Sequence, residues 1–362
     1  MRKHVDQMLT LGEIVELGYE KAEPTAWDYL VGGSETESTL RRNRQGLDKL
    51  AFRPRVLRNV NDIDTTCEIC DISMRLPVFL APMGSLQSLD ETGAIATALA
   101  AKEFGIVAFL SSVCHPGIEK TMKEVGGNLM FQLYVRGDQT WVMDQLDMAT
   151  DLGYKAFCLT VDTAVYGRRE RDKMRGFTPK ARIDVTGFNF QAGLDWDLVD
   201  KIKSRSRLPL ILKGIATKED AQLAITHGID VIYTSNHGGR QLDYGRGSIE
   251  VLPEIVTAAE GKATVFMDGA IYRGTDILKA ICLGADAVGI GRLCGYGLAA
   301  GGVQGLRRVL ELLEEECINA MANLGVTELS ELNEEFICHS SQVNEPSVFS
   351  AFPLINIPRT EY

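Results

Sequence analysis

The sequence has no surplus of basic charge: 38 Lys and Arg stand against 49 Asp and Glu in 362 residues, a formal net charge of -11. Binding to a nucleic-acid backbone, which needs a cationic face, therefore has no footprint here. An anionic small molecule needs only a local group of arginines inside an acidic protein. No stretch reaches the roughly 18 apolar residues of a membrane span. The opening "MRKHVDQMLTLGEIVELGYEKAE" carries acids where a signal peptide has an unbroken apolar core, so a cytoplasmic chain is expected. Cysteines number eight and are scattered through apolar segments, as small buried reduced thiols are. The one tight pair, Cys67 and Cys70, has CxxC spacing but no second pair and no nearby histidine, and no metal site is expected from it. A GxxxxGK[ST] phosphate loop, a glycine fingerprint after the first apolar strand and a Ser or Cys nucleophile elbow are all missing.

What is present is a rhythm. Three helical signals come first: "TLGE" at Thr10 to Glu13 reads as a capping box, and "PTAWDYLVGG" opens on proline and ends in paired glycine. In "SETESTLRRNRQG", Ser34 with Glu37 three residues on reads as a second box, for a helix closing at Gly46. From Pro77 onward, short apolar runs alternate with amphipathic helical segments. There are eight: "PVFLAP" (77–82), "IVAFLSS" (106–112), "LMFQLYV" (129–135), "KAFCLTVD" (155–162), "LPLILKG" (208–214), "DVIYTSN" (230–236), "TVFMDG" (264–269) and "DAVGIGR" (286–292). Runs apolar on both faces suit buried parallel strands. The pattern predicts an α/β fold, a (β/α)₈ TIM barrel over about 76–325, with an N-terminal helical extension at 1–75 and a C-terminal tail at 326–362. The long irregular piece after the fourth strand, "GRRERDKMRGFTPKARIDVTGFNFQAGLD", reads as a lid.

In such barrels the active site lies at the C-terminal ends of the strands. Here those ends carry Pro82, Met83 and Gly84; Ser111 and Ser112; Gln132 and Tyr134; Thr160 and Asp162; Lys213; Ser235, Asn236 and His237; Asp268; and Gly291 with Arg292. A lone histidine at a strand end is ordinarily structural, but a barrel built only for stability has no reason to gather this set on one rim. Strands seven and eight run into "DGAIYRG" and "GIGRLCG", glycine-rich turns that lead to helix N-termini and so suit a phosphate, with Arg292 or Arg273 adding charge. Arg240 and Arg169 can clamp a carboxylate bidentately. His237, on a turn loosened by Gly238 and Gly239, can stand beside the same substrate as a base, with Asp162 orienting its imidazole. The site needs a cofactor to take electrons or protons.

These residues carry a resemblance. "SNHGGRQLD" resembles the signature of the FMN-dependent 2-hydroxy acid oxidases and dehydrogenases, and the likeness runs in order through "WDYLVGG", "FRPRVL", "LAP", "LSS", "FQLYV", "LTVDTxxxGRRE", "LILKG", "DG…RGTD" and "GIGR", across nearly all of residues 27 to 320. It implies FMN as cofactor and a small carboxylate as substrate. It also implies catalytic roles for His237 as base, Asp162 as its partner and Tyr134, with the carboxylate held by Arg169 and Arg240 and the substrate bonded by Tyr29 and Tyr134. Pro82, Met83, Gly84, Ser111, Gln132, Thr160, Lys213 and Ser235 are then expected along the isoalloxazine ring and ribityl chain. Asp268, Gly269, Ala270, Tyr272, Gly291 and Arg292 are expected at the phosphate. A homotetramer is common in the family, and nothing here resembles the membrane insertion or haem domain of some members.

The chain departs from the family pattern in three places. "DGAIYRG" stands for the usual "DGGxRRG", so that Ala270 replaces a glycine and Tyr272 an arginine. Val113 stands where glycolate-oxidising members carry tryptophan, and Gly84 where many have alanine. Both of the latter remove bulk, which favours a 2-hydroxy acid larger than glycolate, aromatic or branched. A second reading is an FMN enzyme of the same barrel superfamily acting on a non-acid substrate, an isomerase or a peptide-modifying maturase.

Overall fold

Every one of the eight apolar runs forms a strand: Val78–Leu80, Ala108–Ser111, Leu129–Leu133, Phe157–Thr160, Leu210–Ile215, Val231–Thr234, Thr264–Asp268 and Ala287–Ile290. In this computed structural model, which describes residues 4–179 and 188–357, they pair in sequence order, all parallel, and the eighth pairs with the first. Part of the expected lid (180–187) and Pro358 of the tail lie outside the described residues. The barrel is filled rather than hollow. Phe79, Phe109, Tyr233 and Phe266, from strands one, two, six and seven, meet with ring centroids 5.0–6.2 Å apart. Gly289 makes room for them, because a Cβ there would stand 2.6 Å from both Phe79 and Tyr233. A bulge in strand five, between Lys213 and Ile215, shifts the register at Gly214.

Before the barrel come the helices Leu11–Lys21, Pro24–Val31 and Ser38–Asp48. The first carries the capping box expected from Thr10 and Glu13, and the second starts on Pro24. The third corrects the sequence reading. It begins at Ser38 and runs past Gly46 to Asp48, and no box forms at Ser34. Glu37 sits instead at φ +60, its carboxylate turned to the Gly33 N–H and to Arg171, which offers a charged bidentate partner that a capping hydroxyl does not.

The final long helix, Arg292–Leu324, kinks at Gly301 and Gly302 and packs against Leu11–Lys21, where Gly18 lets the backbones touch: a Cβ there would lie 2.9 Å from the Tyr296 carbonyl. The tail returns to the extension. Ile337–His339 pairs antiparallel with Leu50–Phe52, and Phe349 stacks on the buried Trp27 with centroids 6.1 Å apart. All eight cysteines are free thiols, but Cys338 is exposed and Cys67 and Cys70 are half-buried, so three of them are not the buried groups expected. No helix among the described residues is long and apolar enough to cross a membrane.

Candidate active site

The C-terminal rim encloses a cavity of about 370 Å³, a size that suits a small molecule or cofactor. Strand register builds its floor. Ser111 lies opposite Gln132, and Thr160 opposite Lys213, so these side chains form one layer. Gln132 Nε2 donates to Thr160 Oγ1 at 2.8 Å, while Gln132 Oε1 is buried without a partner among the described residues. Lys213 Nζ donates to Ser235 Oγ at 2.9 Å and stands 3.5 Å from Asp268 Oδ2. Asp268 also accepts from Ser235 Oγ at 2.7 Å and from Tyr233 Oη at 2.9 Å. Burial pulls the Lys213 pKa down, but the carboxylates of Asp268 and Asp162 outweigh it, so the ammonium holds its proton beyond its ordinary range. Lys213 and Asp268 border the cavity; Ser111, Gln132, Thr160 and Ser235 lie buried just beneath it.

His237 follows strand six in a left-handed conformation, φ +58, its N–H fixed to Ser235 Oγ at 3.0 Å. Its Nδ1 lies 3.0 Å from Asp162 Oδ1. Burial would raise the Asp162 pKa, but His237 and Lys213 hold it below the ordinary carboxylate value. An ionised carboxylate only accepts, so Nδ1 carries the proton and Nε2 presents its lone pair. The Tyr134 hydroxyl donates to that Nε2 at 3.1 Å. Burial also lowers the His237 pKa, against the pull of Asp162, which keeps the ring neutral and basic near neutral pH. Gly214 makes this possible, since at φ +116 a Cβ there would stand 2.5 Å from the Asp162 Cβ.

The turn after His237 is not the loose spacer expected. Gly238 and Gly239 have φ of +64 and +74, and a Cβ on Gly239 would lie 2.4 Å from the Leu40 backbone nitrogen. Its carbonyl accepts from the Ser34 N–H at 2.9 Å. Glycine is needed for close approach, and the turn is clamped against the extension.

That clamp explains two half-buried cations. Helix Pro24–Val31 ends with carbonyls that have no partner within the helix. Arg240 Nη1 donates to the carbonyls of Tyr29, Leu30 and Gly32 at 2.7, 3.3 and 2.8 Å. Arg292 reaches those of Val31 and Gly32 at 3.2 and 2.8 Å, and that of Gly238 at 2.9 Å. Arg169, 5% exposed, borders the cavity beside Arg240, and burial followed by repulsion from Arg240 lowers its pKa. Among the described residues no carboxylate stands within 4.0 Å of Arg169, Arg240 or Arg292. Burying cations without anions is costly, and a ligand anion offsets that cost. The Tyr29 ring lies under both clamp arginines, 4.7 Å from Arg240 and 5.7 Å from Arg169.

At the other end of the cavity the two expected phosphate turns differ. After strand seven, the N–H groups of Tyr272 and Arg273 both donate to Asp276 at 3.0 Å, and that of Gly274 to Glu316 at 2.8 Å. Asp276 is held in turn by a bidentate pair with buried Arg44, at 2.7 and 2.9 Å. Arg273 faces away and pairs with Glu316 at 2.6 Å, which corrects its expected place beside the phosphate. The start of Arg292–Leu324 is open by contrast: Gly291 brings no side-chain cap, and a Cβ on it would meet nothing within 4 Å. Ala270 adopts φ +59, a backbone that a glycine would take with less strain. Tyr272 borders the cavity but is buried against Tyr296 and the tail's Phe352, with centroids 6.3 and 5.5 Å away.

Tyr29, Tyr134, Arg169, His237, Arg240, Pro82, Met83, Gly84, Gly269, Ala270, Tyr272, Gly291 and Arg292 thus share one cavity wall, with Asp162 behind His237. Four residues escaped the sequence reading. Thr163 donates to Asp162 Oδ1 at 3.0 Å and accepts from Gln241 at 2.6 Å. Gln191 ties the Val135 N–H to the Thr160 carbonyl, at 2.7 and 2.9 Å. Tyr166 lies against Arg169. Gln241 is visible inside "SNHGGRQLD", and Thr163 inside "VDT"; Tyr166 and Gln191 have no signal in the sequence.

A sequence model described as FMN-dependent dehydrogenase matches residues 19–339. The chain is 37% identical to an L-lactate oxidase of Nostoc sp. over 362 residues, covering 92% of this chain and 99% of that one. It is 36% identical to glycolate oxidase 3 of Arabidopsis thaliana over 347 residues, covering 90% and 94%. A crystal structure of mandelate oxidase superposes with a TM-score of 0.86 at 36% identity, over 93% of this chain and all of that one.

Proposed function

The chain belongs to the FMN-dependent dehydrogenase family and is an FMN-dependent 2-hydroxy acid oxidase or dehydrogenase; from that premise we propose that its substrate is a 2-hydroxy acid bulkier than glycolate. Buried Arg169 and half-buried Arg240, side by side on the cavity wall next to His237 and with no carboxylate within 4.0 Å among the described residues, are the observation that carries the acid. They also weigh against the isomerase or maturase reading, which supplies no anion for two guanidinium groups that have no carboxylate within 4.0 Å among the described residues. Val113, on the cavity wall, is the observation that supports a larger side chain. Gly84 is coupled to it rather than a separate gain of room: a Cβ at 84 would lie 2.7 Å from Val113 Cγ2, so glycine is what lets the branched valine sit there. The mandelate oxidase was crystallised with an aryl-bearing hydroxy acid, 3,3-difluoro-2-hydroxy-3-phenylpropionic acid.

FMN fits the residues present. Among the described residues, Gln132 Oε1 is an orphaned buried acceptor under the floor, and Arg292, beside open Gly291, has no carboxylate within 4.0 Å. Pro82, Met83, Gly84, Lys213 and Asp268 would border the ring and ribityl chain, and Gly291, Arg292 and Tyr272 the phosphate. Bound there, FMN supplies a two-electron acceptor. The chain's own residues do the rest. Arg169 and Arg240 fix the carboxylate, and with it the 2-carbon, against His237. Nε2 takes a proton from the substrate, and Asp162 stabilises the imidazolium that results. Tyr134 gives up its hydrogen bond to Nε2 and turns it to the substrate. Lys213 stays charged and supplies a fixed positive potential on the floor.

Catalytic efficiencies for mandelate and glycolate test the size of the substrate. Mandelate is expected to give the higher kcat/KM; a clear preference for glycolate overturns the reading.

A further inference from the structure

We propose that Tyr166 is the residue that sets the carboxylate requirement of this enzyme, by holding Arg169 in its binding geometry. The proposal rests on the carboxylate reading above. Arg169 Nη1 donates to Tyr166 Oη at 2.6 Å, and its guanidinium carbon lies 4.2 Å from the centre of the Tyr166 ring. The Tyr29 ring lies farther off, with its centre 5.7 Å from the same carbon. Its remaining bond is weak, from Nε to the Arg240 carbonyl at 3.5 Å, and Nη2 has no hydrogen-bond partner among the described residues. Without Tyr166 little else would fix the group, and repulsion from Arg240 would push it out.

The three contacts divide the guanidinium. Tyr166 takes Nη1 as an acceptor and sets its ring against the group, the Arg240 carbonyl takes Nε, and Nη2 is left for an anion. A tyrosine is well suited to this. It accepts without adding a negative charge that would compete with the substrate carboxylate, whereas an aspartate in its place would neutralise the clamp. Burial, the largest influence, raises the pKa of the Tyr166 hydroxyl against the pull of Arg169, so it stays neutral. Tyr166 also borders the cavity, so it is placed to act on the substrate-binding end directly.

The test compares a 2-hydroxy acid with its primary amide, which keeps the hydroxyl and side chain but loses the charge. Tyr166→Phe keeps the ring and removes the acceptor. It is expected to raise KM for the acid about tenfold, the scale of one lost hydrogen bond to a charged group, with a smaller loss in kcat and a reduced acid-to-amide selectivity. Binding of the corresponding 2-oxo acid, followed by the change in the flavin spectrum, should weaken by a similar factor without any turnover. Tyr166→Phe combined with Arg169→Lys provides a double-mutant cycle, in which the two changes should be coupled by fivefold or more. If wild type is reduced by the acid but Tyr166→Phe leaves selectivity and 2-oxo acid binding unchanged, or the cycle shows no coupling, the role of Tyr166 is overturned. If no 2-hydroxy acid reduces the wild-type flavin, the carboxylate reading itself fails.

Discussion

Replacing Asp162 by asparagine removes one charge and almost no volume. Thr163 already donates to Oδ1, so the asparagine oxygen stays at that position, facing His237 Nδ1, and its amino group takes the place of Oδ2, which has no partner among the described residues. The ring should keep its tautomer and orientation, and what is lost is the carboxylate charge 3.0 Å from Nδ1. An opposite charge that close raises a histidine by about 1–3 pKa units. At 1.36 kcal/mol per unit, the imidazolium loses about 1.4–4 kcal/mol of stabilisation. If the proton is largely on Nε2 in the transition state, kcat/KM falls by about 10- to 1,000-fold. The pH dependence gives the sign. Neutral His237 is the active form, so wild-type kcat/KM should rise with pH through a limb below the ordinary value of about 6.5, because burial lowers this pKa. In Asp162→Asn the limb should move to still lower pH while the plateau drops. Anaerobic stopped-flow bleaching of the flavin, from pH 4.5 to 9, measures both. A limb that stays or moves upward, or a plateau that is unchanged, would refute the assignment of Asp162 as the charge that supports the base.

Two further outcomes follow from packing. Gly84→Ala should cost about 1–3 kcal/mol by overpacking against Val113 and lower the thermal midpoint, and the cost should largely vanish in a Val113→Ala background; an equal cost in both backgrounds contradicts the contact. Arg44→Met strands the buried Asp276 carboxylate, which Arg44 keeps below its ordinary pKa against burial. A loss of about 3–5 kcal/mol in urea unfolding is expected, together with weaker FMN retention, since Asp276 organises the turn at Tyr272.

The barrel was legible because parallel strands covered on both faces must be apolar throughout, and each of the eight runs contains its strand. The rim was legible for a related reason: the ends of those strands are where the apolar run gives way, so His237, Lys213 and Asp268 stand out. The start of helix Ser38–Asp48 was not, because the Ser34 and Glu37 spacing is a local signal and Glu37 is claimed by Arg171, 134 positions away. Arg273 looked equivalent to Arg292 by its glycine-rich setting, but Glu316 on the last helix turns it outward. Gly84 and Val113 each read as a loss of bulk, whereas their contact across two turns makes one the condition of the other. Long-range partners decide all three, and none leaves a periodic mark in the chain.

The last turn of helix Pro24–Val31 has a consequence for how the enzyme comes to be active. Arg240 and Arg292 belong to the barrel, yet each is aimed by carbonyls of a segment more than 200 positions earlier. A barrel that had closed alone would possess both arginines but not their orientation. Competence is thus a property of the barrel and the extension together: detachment of one short helix would silence the site even with all eight strands still paired.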